Sequence, residues 1–279
     1  FILGFQAQLS DNFSAGLRGI YRDLKQAIDD NCDYTALLDA IAEKDPGLHP
    51  VLPGPGFPYC RMFNPGADAI WLTDVENDGT LREYHIDGAR LSPKAKRTYA
   101  ALEIFFEGNY EKLAFQGSYT YGKSKGNTEG GVKSDIGQSD TSVTQDFDYI
   151  ELTENTFGYL PNDRRHSLKL FGSYQINDEW ALGANMIVQS GRPLNCLGVL
   201  DLNPGPAYRP HPYGSSFMRC GTTPLGGTDD ATVEIVPRGT KGRLPWTNSI
   251  DVGVTYRPSW AQGLMLKMDI FNIANNQKV

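Results

Sequence analysis

The chain has 279 residues, a formal net charge of −7 and 40% hydrophobic residues, enough for one or two ordinary domains. Its acidic balance, without a basic stripe, excludes nucleic acid as the principal partner. No stretch nears the roughly eighteen apolar residues of a membrane-spanning helix. This composition suits a soluble β-sandwich and equally a membrane β-barrel, because half of each barrel strand faces water.

The first two strands are expected over residues 1–10 and 14–27. Phe5, Ala7 and Leu9 run into a turn at Asp11-Asn12, after which Ala15, Leu17, Gly19 and Tyr21 oppose Arg18 and Arg22. A long loop, 28–96, follows. Strands over 97–108 and 111–122 come next, with Ala100, Leu102, Ile104 and Phe106 on one apolar side and Leu113, Phe115, Gly117, Tyr119 and Tyr121 on the other strand's matching side. After a second loop, 123–164, the clearest pair spans 165–176 and 179–190: Leu168, Leu170, Gly172 and Tyr174, then Trp180, Leu182, Ala184, Met186 and Val188, joined by Asn177-Asp178-Glu179. A third loop, 191–245, precedes strands over 246–257 and 263–272.

Successive side chains of a strand point to opposite faces, so a period of two describes a sheet with one apolar and one polar side. These runs match the about nine to eleven residues needed to cross a bilayer at a tilt. Glu103, Lys169, Asp251, Lys267 and Asp269 all fall on the polar face; a Lys or Arg on the lipid face at mid-bilayer costs roughly 2 to 4 kcal/mol. Short turns alternate with loops of tens of residues, the asymmetry of an outer-membrane barrel with its short turns in the periplasm. Tyr174, Trp180, Tyr256 and Trp260 fall near the short-turn rim and Tyr119, Tyr121 and Trp246 near the other, as two aromatic girdles require. The fold class expected is all-β: part of an antiparallel transmembrane β-barrel, about eight strands of a larger one, with long extracellular loops.

Cys32 and Cys60 lie in the first long loop, Cys196 and Cys220 in the third. An even count confined to extracellular loops reads as two local disulfides, each worth roughly 3.5 kcal/mol in the chain-entropy model. The alternative is four free buried thiols. Asp74, Glu76 and Asp78 precede Gly79 in the spacing of a calcium loop, with His85 where a bidentate Glu belongs. The preferred reading is a solvated hairpin tip, with calcium as the alternative and no other cofactor expected.

Gly117 to Ser124 matches the phosphate-loop pattern and Gly122 to Gly126 the nucleophile elbow, but both motifs need a loop leading into a helix. Here the segment is alternating strand followed by a glycine-rich run. His49, His85, His166 and His211 form no triad or ligand spacing, and no enzyme is expected. Arg164, Arg165, Arg192 and Arg243 sit at expected strand ends; they suit either a collar pairing with loop acids or lipopolysaccharide phosphates, or plain charges in water. Tyr149, Asp146, Asp148 and Tyr208 are loop residues of a kind that can contact a ligand, although such residues are usually only solvated.

The segments SYTYGKSKGNTEGGVKSDIGQSD, FGYLPNDRRHSLKLFGSY, SGRPLNCLG, GTKGRLPWTNSIDVGVTY and MDIFNIANNQ resemble the C-terminal barrel of TonB-dependent outer-membrane receptors of the Oar-like branch, over about residues 97–279. The resemblance implies a 22-stranded barrel, a plug domain that this stretch lacks, uptake of an unidentified ligand driven by the TonB complex through a missing N-terminal part, and location in the outer membrane of a Gram-negative bacterium among its lipid and lipopolysaccharide. The chain reads as a barrel fragment. A non-transporting surface barrel acting in adhesion is the alternative.

Overall fold

The computed structural model describes residues 1–51, 60–200, 213–220 and 234–276. In chain order, β1 (Ile2–Ser10) and β2 (Phe13–Asp23) form a hairpin. The first long excursion holds β3 (Asp29–Asn31), α1 (Thr35–Lys44), β4 (Arg61–Phe63), β5 (Ala69–Asp74), β6 (Leu81–Ile86) and α2 (Gly88–Leu91). The hairpin of β7 (Arg97–Asn109) and β8 (Leu113–Gly126) follows, then two 3-10 turns at Ser134–Ile136 and Ile150–Thr153 and the short β9 (Gly158–Tyr159). β10 (His166–Gln175) and β11 (Trp180–Gln189) lead to a third excursion with β12 (Gly198–Leu200), β13 (Tyr213–Phe217), β14 (Arg219–Cys220) and β15 (Glu234–Ile235), and β16 (Thr247–Tyr256) and β17 (Leu266–Ile270) close the series.

Eight strands make one antiparallel meander in the order β1-β2-β7-β8-β10-β11-β16-β17, with β9 paired to the outer end of β8. The sheet is an open arc of barrel wall with β1 and β17 at its edges. Some ends differ from expectation. β2 stops at Asp23 and not at 27, its pairing with β7 ending where the Leu24 amide donates to the Arg97 carbonyl at the start of β7. β8 continues past residue 122 to Gly126, because β7 matches it as far as Arg97 and β9 supplies a partner on its other side. β17 is confined to Leu266–Ile270, leaving 263–265 in the turn.

The register aligns the two faces across the whole arc. On one, Leu17 lies opposite Ile104, Ile104 opposite Tyr119, Tyr119 opposite Leu168, Leu168 opposite Val188, and Val254 opposite both Leu182 and Met268. Its large side chains are open to the surroundings: Leu102, Ile104, Leu182 and Met268 are 43–58% exposed. An apolar band of this extent on a water-soluble protein would be a severe liability; against lipid it is the stabilising surface.

The first excursion is expected as loop but is a packed unit. α1 buries Ala36, Leu37, Ala40 and Ile41 along one stripe against Trp71, Tyr84 and Ile86 of the β5–β6 hairpin, with Leu91, Ala95 and Phe147 closing the core. A helix of this length is marginal in isolation, so tertiary packing holds it; each large apolar side chain so buried contributes about 1.5–3 kcal/mol. The Arg61 guanidinium lies over the rings of Tyr34 and Trp71, 4.9 and 5.3 Å from their centroids.

Candidate functional site: the polar wall and its outer cap

The polar face forms a ladder of matched groups. Arg18 is ion-paired with Glu103, and its guanidinium lies 5.3 Å from the centroid of the Phe105 ring. Gly16 leaves room for that ring, since a Cβ there would stand 2.3 Å from Phe105. Gln6 donates to Ser14 and Glu107 at 2.9 and 3.1 Å, and Ser14 to Glu107 at 2.8 Å. Asn185 donates to Asp251 at 3.1 Å, and Lys267 pairs with Asp269 at 3.1 Å. These strands enclose a concavity of about 890 Å³ lined by Gln8, Ser14, Glu107, Asn185, Asp251 and Asp269. Charges that would be costly against lipid are kept where water can reach them.

All three long excursions leave the same rim and lock together, with the second as keystone. Phe147 inserts into the core of the first, while its carbonyl accepts from Asn31 Nδ2 at 3.0 Å and the Asp148 carbonyl accepts from the Cys32 amide at 2.9 Å. Asp29 accepts from the amide and hydroxyl of Thr144, at 2.9 and 2.6 Å. Burial pushes the Asp29 carboxyl up to about 7 despite those hydrogen bonds. Asp146 is buried between Lys133 at 2.8 Å and Arg238 of the third excursion at 3.3 Å. Burial acts to raise its pKa, but Lys133 and Arg238 outweigh it and hold the carboxyl below the usual range. Arg238 also reaches Asp135 at 3.6 Å. Gly158 lets the Arg238 backbone pass close by; a Cβ would lie 2.0 Å from the Arg238 carbonyl oxygen.

At the rim, three separate sequence segments meet on one carboxylate. Asp163, whose side chain is wholly buried, accepts from the Ser124 amide at 2.7 Å and pairs with Arg165 and Arg243. Arg243 also donates to the carbonyls of Asp163 and Gly191 at 2.8 and 3.0 Å. Arg164 donates to the Ser190 carbonyl at 3.0 Å and Arg192 to that of Pro161 at 3.1 Å. The expected arginine collar thus closes on a loop acid and on backbone carbonyls. Asp163 was not singled out in the sequence; in LPNDRRH it reads as one more loop acid.

The structure joins Cys32 to Cys60 and Cys196 to Cys220, and the first bridge packs on Tyr149 and Leu152. With both cysteines oxidised, the grouping of Asp30 with Cys32 and Cys60 offers no thiolate for a metal. Asp74, Glu76 and Asp78 do not form one compact ligand set among the described residues. The two Asp74 oxygens accept from the amides of Asp78 and Gly79 at 3.0 and 2.7 Å, Asp78 accepts from the Thr80 amide at 2.8 Å, and Glu76 from the His49 amide at 3.4 Å. The turn is closed by its own backbone, with Asn77 and Gly79 at φ 56° and 85°.

Asp146, Asp148 and Tyr149 do not present themselves to a ligand as their loop position suggests, for all three are buried; Tyr208 and His211 lie outside the described residues. The phosphate-loop and elbow patterns fall entirely within β8, so neither has the loop it requires. The aromatic rims are in place. Tyr119 Oη lies 2.7 Å from His166 Nδ1, His166 stacks on Trp246 at 5.6 Å, and at the other rim Trp180 stacks on Tyr256 at 4.3 Å.

No family model matches the chain. It is 32% identical over 194 residues, 67% of its length, to the TonB-dependent transporter Oar of Myxococcus xanthus, and spans 16% of that relative. Among solved structures it is similar to the outer membrane transporter YddB from Escherichia coli (TM-score 0.44, 11% identity, covering 99% of this chain and 28% of that one). It is also similar to the siderophore receptor PiuA from Acinetobacter baumannii (TM-score 0.38, 11% identity, 99% and 31%). The sequence relationship and the two-faced meander of strands agree: the chain is part of the β-barrel of a TonB-dependent outer-membrane receptor of the Oar-like branch, and it resides in the outer membrane of a Gram-negative bacterium.

Proposed function

We propose that this chain forms part of the wall and outer cap of a transporter that takes up an external ligand with energy from the TonB complex. The observation that carries the reading is the ladder of polar and charged groups on one face of the arc, set against a continuous apolar band on the other. Such a wall separates lipid from a wet passage. The cap supports the same reading, because disulfides and buried ion pairs hold the three excursions in one arrangement over the outer mouth. The relatives named above are transporters and receptors. The adhesive alternative gains no support from them, and no enzymatic role is proposed.

The test compares the solutes consumed from a complex medium by the parent strain, a strain deleted for the full-length gene and a strain deleted for TonB. A solute left behind by both mutants supports uptake and names the ligand. A deletion strain that consumes everything the parent does but loses surface attachment would favour the adhesive role.

A further inference from the structure

We infer that the outer end of β8 and the adjoining rim form a binding site for the phosphate groups of an anionic glycolipid in the outer leaflet, with Lys123 and Lys125 as its principal contacts. Along the lipid-facing side of β8 the order toward the outside is Tyr119, Tyr121, Lys123, Lys125. At a strand rise of about 3.4 Å per residue, each step along one face advances about 7 Å, so the two lysines stand one and two steps beyond the aromatic belt. Aromatic side chains settle at the membrane interface; the layer just outside it is that of the headgroups.

Tyr159 on β9 is directly opposite Lys125 and gathers cations around its ring. Lys125 and Arg165 each lie 4.6 Å from its centroid and Arg243 lies 5.7 Å away. Hydrogen bonding from Arg165 holds the Tyr159 phenol below the usual tyrosine range against the opposing effect of burial. The single carboxylate in this group, Asp163, is buried and already shared by Arg165 and Arg243. Among the described residues Lys123 and Lys125 have no carboxylate partner, and the buried Nε of Arg165 has no acceptor. The patch therefore carries uncompensated positive charge. Ammonium and guanidinium groups in this setting are suited to phosphate oxygens.

A lipid source is favoured over free phosphate by what lies below. A shallow groove of about 530 Å³ spreads across the apolar face here: Ala100 and Tyr21 stand level with Lys123 on the neighbouring strands, and Tyr121 and Leu102 lie one step deeper. It offers an acyl chain apolar walls beside the lysine and one step below it, which inorganic phosphate could not use. The motif GKSKG thus finds a role as strand-borne charge.

The inference rests on the outer-membrane location and not on transport. Full-length receptor, stripped of lipid in mild detergent, is titrated by calorimetry with bisphosphorylated lipid A, dephosphorylated lipid A and inorganic phosphate. Binding of the first alone, weakened about thirtyfold in the K123Q/K125Q double variant, is expected, since each basic side chain at an anionic surface is worth about 1 kcal/mol. The K123R/K125R variant should retain binding, which separates charge from fold. Equal binding of dephosphorylated lipid A, inorganic phosphate binding as tightly as the lipid, or full affinity in the glutamine variant would overturn the proposal. Loss of lipid A binding with ligand uptake intact would leave the transport reading standing, and the reverse would spare this site.

Discussion

Asp29 holds both the amide nitrogen and the hydroxyl of Thr144, at 2.9 and 2.6 Å, across 115 residues of chain. Burial lifts its carboxyl to about 7, well above an unfolded value near 3.8, so the folded cap carries a proton here that the unfolded one does not. Stability from this group is therefore fully present below about pH 4, declines as pH rises and is gone above about 7, by at most about 4 kcal/mol at about 1.4 kcal/mol per pKa unit. Asp146 titrates below the ordinary range and so does not enter this window. Hydrogen exchange at the Thr144 amide should slow between pH 8 and 5 after correction for intrinsic rates. Asp29→Asn, which can still accept from the amide, should remove that dependence.

Replacing Asp146 by alanine leaves Lys133 and Arg238 buried without their shared anion. Removing one partner of a buried pair costs about 3–5 kcal/mol. The third excursion, anchored through Arg238, should become the first site of proteolytic nicking in the intact receptor, while the heat-dependent gel mobility of the barrel stays normal. A protease pattern identical to the parent's would show that the ion pairs do not anchor it.

Opening the Cys32–Cys60 bridge with a double serine substitution should cost about 3.5 kcal/mol of stability in the first excursion. The membrane strands should be indifferent. Thermal unfolding of the cap, followed by cleavage within residues 28–96, would report the change.

Ile104 and Glu103 are neighbours on β7 with opposite surroundings. Ile104→Arg, on the apolar face, should lower barrel stability by about 2–4 kcal/mol in liposomes. Glu103→Gln, which leaves Arg18 unpaired but hydrated, should cost no more than about 1 kcal/mol. Denaturant titration of the full-length barrel compares the two, and equal costs would contradict the assignment of faces.

At the β5–β6 turn, Asp74→Ala should loosen the hairpin, because two amides lose their acceptor at about 1 kcal/mol each. The effect should be the same with millimolar calcium or with chelator. A stabilisation by calcium in the parent that the variant lacks would revive the cation.

The membrane wall was legible residue by residue. Lipid on one side and water on the other select each side chain separately, so Leu168, Leu170 and Leu182 declare one face and Lys169, Asp251 and Asp269 the other without knowledge of any neighbour. The placement of all four cysteines in long loops was equally local. Asp146, Asp148 and Tyr149 were not legible: an acid or a tyrosine in a polar loop has the same spelling whether it meets solvent or a buried cation. The folded unit of α1, β5 and β6 was hidden for a related reason, since its elements are too short to persist outside their common core.

By itself, then, the sequence determined the period of two, the strand lengths and the alternation of short turns with long excursions, because solvent and lipid act on each position alone. Tertiary structure alone decided that Asp163 gathers Arg165 with Arg243, 80 residues away, that Asp146 binds the third excursion to the second, and that Lys125 faces Tyr159. Those choices depend on chain ends delivered to one rim by the sheet, where a buried charge is tolerated only beside the partner that happens to arrive there.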